Sequence, residues 1–367
     1  DKKASQVLST SFILAFSIGA LLLIFGSIFM TPMVRLLGAT PTCEAYSIEY
    51  ATYVLLAAPF MAANFVMNQC LRSEGSATLS MLGMMAGNVL NMVLDPILIF
   101  GLNMGVKGAA LATVISQAVS AVWILRFLTG KKTILKLKVP NMKLERQIIL
   151  PCLGLGVSTF VMLSTESILS ISFTSSLARY GGDVAVGAMT VLTSINQLMT
   201  MPLSGVCQGG QPLISYNYGA KKYDRVKEAF FCQFFTCVGY TVVFWAVLML
   251  MPNVFAGIFT SDVALVDYTA WAIKIFLALG FSVGFQISCQ QAFMALGQAK
   301  ISLIMALLRK VFLLIPMIFI LPNFFADKAF AVFLAEPVSD IIAAAVTTFM
   351  IFRFFFKMLK EGKAVQQ

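Results

Sequence analysis

One carboxylate lies inside a long apolar run of the chain: Asp95, which directly precedes Pro96. Asn88 and Asn91 share its face of a helix, because their spacing from Asp95 follows the i, i+3, i+7 pattern. An ionisable residue in such a run marks a functional site by default, since burying it unpaired costs at least ~2.5–3.5 kcal/mol. The stripe suits binding of a proton or a sodium ion. The alternative is a packing role, in which the amides and the acid bond to neighbouring helices.

A second acid, Glu166, lies deep in another apolar run, STFVMLSTESILS. Hydroxyl groups flank it at Ser164, Thr165 and Ser167, and their hydrogen bonds can stabilise a buried carboxyl group. We therefore predict that Glu166, like Asp95, takes part in exchange of a coupling ion or proton.

Two cations and two further acids indicate an ion-pair network. Arg309 and Lys310 interrupt an apolar run about ten residues from its start, near mid-membrane at 1.5 Å per residue. Glu336 and Asp340 stand one helical turn apart. Because side chains cannot easily reach the interface from that depth, pairing with buried carboxylates is the preferred interpretation. A purely structural ion pair and a transport role both remain open.

Amide side chains recur in the apolar runs, often at one-turn spacing. They are Asn64, Asn68, Asn196, Gln197, Gln286 and Gln290. With 21 methionines and 32 phenylalanines in the chain, they fit a cavity that adapts to varied amphipathic ligands, because methionine-rich surfaces repack easily. Methionine and phenylalanine also face lipid in any membrane helix, which is the alternative interpretation.

The elements that must position these residues are membrane-spanning helices. The chain is 59% hydrophobic and 11% charged, against ~25% charged in soluble domains. Continuous apolar runs, rather than alternation of apolar and polar residues, predict helices and not a closed barrel. The predicted spans are 7–30, 46–71, 77–100, 107–129, 147–175, 184–208, 228–251, 265–294, 299–321 and 329–356. The predicted class is thus an all-α polytopic membrane protein.

The charge of the chain reports orientation. Its net charge is +10, and most of its 26 lysines and arginines fall in alternate loops. By the positive-inside rule both chain ends are cytoplasmic, so we do not expect nucleic-acid binding. The longest charged stretch, 129–147, is expected to be a cytoplasmic tether that meets anionic lipid.

Several classes of chemistry lack the residues they need. The chain has no histidine, and its seven cysteines form no CxxC pair, so neither a zinc site nor a disulfide framework is predicted. No phosphate-binding glycine motif is present. We predict no cofactor and no enzymatic activity.

An internal repeat relates two helical bundles. Gln69, Gly75, Ala77 and Ser80 recur 222 positions later as Gln291, Gly297, Ala299 and Ser302. The second half has two spans ahead of its repeat that the first half lacks. We therefore expect ten of twelve spans here. The predicted organisation is an N-terminal lobe at 1–129, a linker at 130–146, a C-terminal lobe at 147–356 and a cytoplasmic tail at 357–367.

Several stretches together resemble the multidrug and toxic compound extrusion (MATE) transporters over essentially the whole chain. They are LRSEGSATLSM with NMVLDPILIFGLNMGVKGAALATVISQ, QGGQPLISYNYGAKKYDRVK, FMALGQAKISLIMALLRKVFLLIPMIFILP and EPVSDIIAA. The resemblance implies two six-helix lobes that form a V-shaped cavity. It also implies export of drug-like, often cationic compounds, driven by protons or sodium ions.

The resemblance extends to particular residues. Asp95 resembles the carboxylate that the family carries before proline in its fifth helix, facing an acid in its first. Glu166 resembles an acid in the seventh helix of some branches. Two departures stand out: the first family helix is absent, and the span 265–294 has Gln286 and Gln290 where some sodium-coupled members have an acid.

We therefore expect a secondary active multidrug efflux antiporter, coupled to H⁺ or Na⁺, in the bacterial inner membrane. A monomer that meets lipid and small amphipathic drug-like substrates is expected. The alternative is a flippase of lipids or lipid-linked oligosaccharides from the same broad superfamily.

Overall fold

The computed structural model describes residues 2–36, 44–130, 133 and 146–366. These residues form helices and contain no strand. In chain order the helices are α1 Lys2–Ile28, α2 Met30–Leu36, α3 Glu44–Ser73, α4 Ala77–Pro96, α5 Gly105–Leu128, α6 Arg146–Gly219, α7 Tyr223–Leu250, α8 Pro252–Phe259, α9 Val263–Phe276, α10 Ser282–Ala295, α11 Ala299–Leu307, α12 Ile315–Ile320 and α13 Lys328–Gln366. The predicted all-α membrane class is confirmed. The predicted linker lies largely outside the described residues.

Eight helices of the described ranges are long and apolar enough to cross a membrane. Their limits are Ala4–Ile28, Glu44–Ser73, Ala77–Gly101, Gly105–Leu128, Ile148–Gly219, Tyr223–Leu250, Lys300–Asn323 and Lys328–Phe354. The predicted spans 147–175 and 184–208 both lie in α6, whose helical run is interrupted at Gly182 with φ of 67° and ψ of −163°.

The predicted span 265–294 was wrong as one continuous helix. The structure divides it into α9 and α10, with turns between Leu277 and Ser282. The indole Nε1 of Trp245 on α7 donates to the carbonyl oxygens of Leu277 at 3.0 Å and Ala278 at 3.1 Å. These bonds satisfy carbonyl groups that the break releases, which is the condition for non-helical backbone at membrane depth.

The chain divides into two compact units, unit 1 Asp1–Leu153 and unit 2 Gly154–Gln367. In unit 1, α3 packs between α1 and α5, and α5 also packs against α4. The core of unit 1 contains Leu8, Met67, Leu71, Ala121, Ile124 and Leu128. In unit 2, α10 packs against α7 and α13, and phenylalanines such as Phe230 and Phe293 are fully buried.

The repeated segments form the same helix-ending turn in each unit. The N–H of Gly75 donates to the Arg72 carbonyl at 3.1 Å, and the N–H of Ser76 donates to the Leu71 carbonyl at 3.0 Å. These are the two hydrogen bonds of a Schellman motif. Gly75 lies at φ of 91°.

In unit 2 the turn at Gly297 repeats this pattern. The N–H of Gly297 donates to the Met294 carbonyl at 3.0 Å, and that of Gln298 donates to the Phe293 carbonyl at 2.9 Å. Gly297 lies at φ of 72°. Both units therefore require glycine at the same place, because the turn needs a positive φ that is unfavourable for residues with a side chain.

A wide π-helical segment follows the repeated turn in each unit. The segment Ile97–Gly101 directly follows Pro96, and Leu308–Leu314 ends just before Pro316. Prolines and π-bulges are recognised causes of helix bends, and π-bulges are frequent at functional sites. Asp95 therefore lies at such a segment in unit 1, whereas Arg309 and Lys310 lie inside the one in unit 2.

Candidate functional site

Asp95 occupies the last turn of α4 and is half-buried. Within the described part of the chain its carboxylate has no hydrogen-bond or ion-pair partner. Asn91, one turn earlier, is half-buried, and its Nδ2 is fully enclosed without a described acceptor. Asn88 is exposed. This face of α4 thus carries a carboxylate and an amide whose hydrogen-bonding capacity is unused.

Amides and hydroxyls of unit 1 form a chain across three helices. Asn64 Nδ2 donates to Gln117 Oε1 and to Ser120 Oγ, both at 3.3 Å. Asn68 Nδ2 donates to Asn64 Oδ1 at 3.3 Å, and Ser80 Oγ donates to Asn68 Oδ1 at 2.8 Å. The chain fixes the orientation of Asn64 and Asn68, because each amide has a partner on another helix or on the preceding turn.

A cavity of about 230 Å³ adjoins this polar chain. Its lining combines amides with apolar and sulfur-containing side chains and consists of Met61, Asn64, Phe65, Asn68, Met84, Gly87, Asn88, Gln117 and Ser120. The structure therefore brings Asn88, predicted to bind the coupling ion, together with Asn64 and Asn68, predicted to bind substrate. Asp95 is two turns further along α4 and does not line this cavity.

In unit 2, one guanidinium group joins two carboxylates. Arg309 Nη2 donates to Glu336 Oε1 at 2.9 Å, and Arg309 Nε donates to Asp340 Oδ1 at 2.6 Å. The side chains are 15%, 9% and 5% exposed for Arg309, Glu336 and Asp340. Glu336 and Asp340 are one turn apart on α13, so the fork of the guanidinium group can contact both.

The neighbouring cation has a different partner. Lys310 Nζ forms an ion pair with Glu166 Oε1 and lies 3.5 Å from the Met162 carbonyl oxygen. Glu166 and Met162 are one turn apart on α6. The consecutive cations Arg309 and Lys310 therefore contact two different helices, α13 and α6, because adjacent side chains on a helix point to different sides.

The predicted amides of unit 2 differ in burial and in their contacts with the ion cluster. Gln290 is buried, and its Nε2 donates to the Met162 sulfur at 3.5 Å, which adds it to the edge of the Lys310 and Glu166 pair. Gln286 is buried, and its Oε1 has no partner among the described residues. Asn196 is half-buried and Gln197 is exposed, both on α6. Among the described contacts none joins these two to the ion cluster, and they stay a prediction.

Sequence reasoning missed Gln117, Ser80 and Ser120, which complete the polar chain of unit 1. Gln117 is an isolated amide in α5, with no second amide one turn away to draw attention to it. Ser80 could have been singled out, because the internal repeat places Ser302 at the equivalent position. Each of these serines donates to the backbone carbonyl of the residue twelve positions earlier, at 3.5 Å and 3.4 Å.

The chain is similar to known membrane transporters over both of its units. The MatE family profile matches residues 1–97 and 158–320. The multidrug export protein MepA of Staphylococcus saprophyticus is 30% identical over 328 residues, which are 88% of this chain and 72% of that protein. MepA of Staphylococcus aureus strain NCTC 8325 is 27% identical over 323 residues, covering 88% and 71% of the two chains.

A solved structure extends the similarity to three dimensions. The MATE multidrug transporter DinF-BH, solved in complex with a ligand, superimposes with a TM-score of 0.87 at 34% identity. The superposition covers 96% of this chain and 78% of that one. Since the family profile matches more than half of the chain and the fold agrees, the chain belongs to the MatE family of multidrug and toxic compound extrusion transporters.

Proposed function

We propose that the protein is a secondary active multidrug efflux antiporter, which exports amphipathic, often cationic compounds in exchange for protons or sodium ions. The proposal is supported by the names of two similar proteins: MepA is a multidrug export protein, and DinF-BH is a multidrug transporter. No cofactor is needed beyond the coupling ion.

The observation that carries the proposal is the environment of Asp95. A half-buried carboxylate without a described partner, inside a spanning helix, is a costly arrangement that an arriving cation would relieve. The same helix carries Asn88, which lines the polar cavity of unit 1. Ion binding and substrate binding would therefore be linked through α4.

In the proposed cycle, a proton or sodium ion binds at Asp95 with Asn88 and Asn91, and a second acidic position, Glu166, contributes from unit 2. The drug is held by amides and methionines such as those that line the cavity of unit 1. Loading of the acids favours release of the drug to the outside. This is coupling in the thermodynamic sense, in which each ligand changes the affinity of the protein for the other.

The cellular setting is proposed on the same basis. A multi-pass protein of this family is expected to act as a monomer in the bacterial inner membrane, with both chain ends cytoplasmic. The distribution of lysines and arginines supports this orientation.

The decisive experiment replaces Asp95 with Asn in the full-length protein. We expect Asp95→Asn to abolish drug resistance in cells that lack their own efflux pumps, with unchanged abundance in the membrane. Asp183→Asn is the matched control, because Asp183 is exposed in α6. Efflux that persists in Asp95→Asn would refute the assignment. Drug-dependent release of H⁺ or Na⁺ from proteoliposomes, run under each gradient, identifies the coupling ion.

The alternative, a flippase of lipids or lipid-linked oligosaccharides, would need cationic groups free to bind phosphate. Arg309 and Lys310, which are predicted to lie near mid-membrane, are both engaged by carboxylates. This favours the drug antiporter. Transfer of a fluorescent phospholipid between leaflets of proteoliposomes, in the absence of drug, would instead support the flippase.

A further inference from the structure

The carboxylates of the ion cluster in unit 2 differ sharply in exposure. Glu336 and Asp340 are 9% and 5% exposed, whereas the side chain of Glu166 is 60% exposed. Its partner Lys310 is only 11% exposed. The Glu166 and Lys310 pair therefore joins an accessible carboxylate to an ammonium group held inside the unit.

The exposed side of Glu166 is suited to an amphipathic ligand. A charged group that faces hydrocarbon is costly, so an exposed carboxylate in a spanning helix is expected to meet water or a polar ligand. Leu163, one turn earlier on the same face of α6, is 65% exposed. A ligand with a charged head and an apolar body would find both surfaces side by side.

Lys310 determines the net charge of the surface around Glu166. An ammonium in contact with a carboxylate cancels much of the attraction that the carboxylate exerts on a second cation. The only other acceptor that the described structure gives Lys310 Nζ is the Met162 carbonyl, at 3.5 Å. As long as Lys310 stays on Glu166, the surface is close to neutral.

Gln286 offers Lys310 an alternative acceptor. It is 3% exposed, and its Oε1 has no partner among the described residues, which is an unfavourable state for a buried oxygen. Gln286 lies one turn before Gln290, which contacts Met162. In the predicted topology α10 runs antiparallel to the first part of α6. This topology puts Gln286 at the depth of Glu166, which is one turn after Met162 on α6.

We propose that Lys310 sets the charge selectivity of the substrate surface at Glu166. While Lys310 neutralises Glu166, the surface accepts neutral and zwitterionic amphiphiles. A monovalent organic cation displaces the ammonium, which moves to Gln286. This inference rests on the proposed function, in which Glu166 contributes a negative charge to the transport cycle.

The test measures binding of two fluorescent probes to the purified full-length protein in detergent. The cationic probe is ethidium and the neutral probe is N-phenyl-1-naphthylamine. We expect Lys310→Met to raise affinity for ethidium about tenfold, as the removal of a competing ion-pair partner predicts. Affinity for the neutral probe should not change. Lys300→Met, an exposed lysine at the start of α11, is the matched control.

Two further variants complete the design. Glu166→Gln should lower affinity for ethidium, and adding Lys310→Met to it should then have no further effect. Gln286→Leu should weaken ethidium binding several-fold, because the displaced ammonium loses its acceptor. This variant keeps the proposal testable if Lys310→Met does not fold.

The outcomes distinguish the role of Lys310 from the proposed role of Glu166. If Glu166→Gln weakens ethidium binding but Lys310→Met and Gln286→Leu do not change it, Lys310 is a structural partner only and this inference is overturned, while the proposed function stands. If Glu166→Gln leaves both ethidium binding and efflux intact, the proposed role of Glu166 is itself refuted.

Discussion

Two consecutive cations of unit 2 show how strongly the partner of a charged residue determines its role. Arg309 is enclosed with Glu336 and Asp340, whereas Lys310 reaches an accessible acid. A largely buried cation that pairs with two buried acids is a structural element, because removal of any one member leaves an uncompensated charge inside the protein. The pair of Lys310 and Glu166 can open at much lower cost, since one partner is in contact with its surroundings.

The structural role of Arg309 can be tested by Arg309→Met. This variant leaves Glu336 and Asp340 enclosed without a cation, and we expect a loss of about 3–5 kcal/mol in stability. Thermal unfolding of the detergent-solubilised protein measures the loss. Arg353→Met, at an exposed position of the same helix α13, is the control, and equal unfolding temperatures for the two variants would contradict the prediction.

At the scale of elements, the repeated turns are the best-defined constraint that the two units share. Gly75 and Gly297 end equivalent helices with the same pair of hydrogen bonds. No heavy atom lies within 4 Å of a Cβ built at either glycine, so the requirement for glycine comes from the backbone angle and not from crowding.

We therefore expect Gly75→Ala and Gly297→Ala each to destabilise the protein by about 1–2 kcal/mol, the cost of a side chain in the left-handed region. Gly205→Ala is the contrasting variant. Gly205 is exposed inside α6 with open space around it, so alanine should stabilise the helix by about 0.5–1 kcal/mol. Unfolding temperatures in detergent give the sign of each effect. Destabilisation by Gly205→Ala as large as that of the two turn variants would disprove the backbone explanation.

The helices themselves were largely predictable from the sequence, because apolar runs of about 20 residues have few alternatives in a membrane. The break between α9 and α10 was not. The run around Gly280 is apolar throughout, and the group that permits the break, the indole of Trp245, is on a different helix.

Residue pairs were predictable only where the sequence places their members close together. Glu336 and Asp340 are one turn apart, so the sequence already indicates that a single cation can pair with both of them. The partnership of Lys310 with Glu166 spans 144 positions. From the sequence alone, several buried acids could pair with Lys310. Only the position of the π-helical segment Leu308–Leu314 beside α6 decides among them.

At the scale of the whole molecule, the asymmetry of positive charge makes a definite prediction about orientation. Fusions of alkaline phosphatase, which is active only outside the cytoplasm, should be active after Asn103 and inactive after Gly130. The first position follows α4 and the second follows α5. A fusion of green fluorescent protein after Gln367 should fluoresce. Activity of the phosphatase at Gly130 would reverse the proposed orientation.

The hydrogen bonds from Trp245 to Leu277 and Ala278 also bear on how the protein is made. Helices α9 and α10 have 14 residues each, or about 21 Å at 1.5 Å per residue, which is less than the ~30 Å of a hydrocarbon core. Neither is long enough to cross that core alone. We therefore expect the pair to insert as one unit against α7, which emerges earlier from the ribosome and carries the indole that bonds the carbonyl groups between them. On this expectation the order of helices along the chain is also an order of assembly.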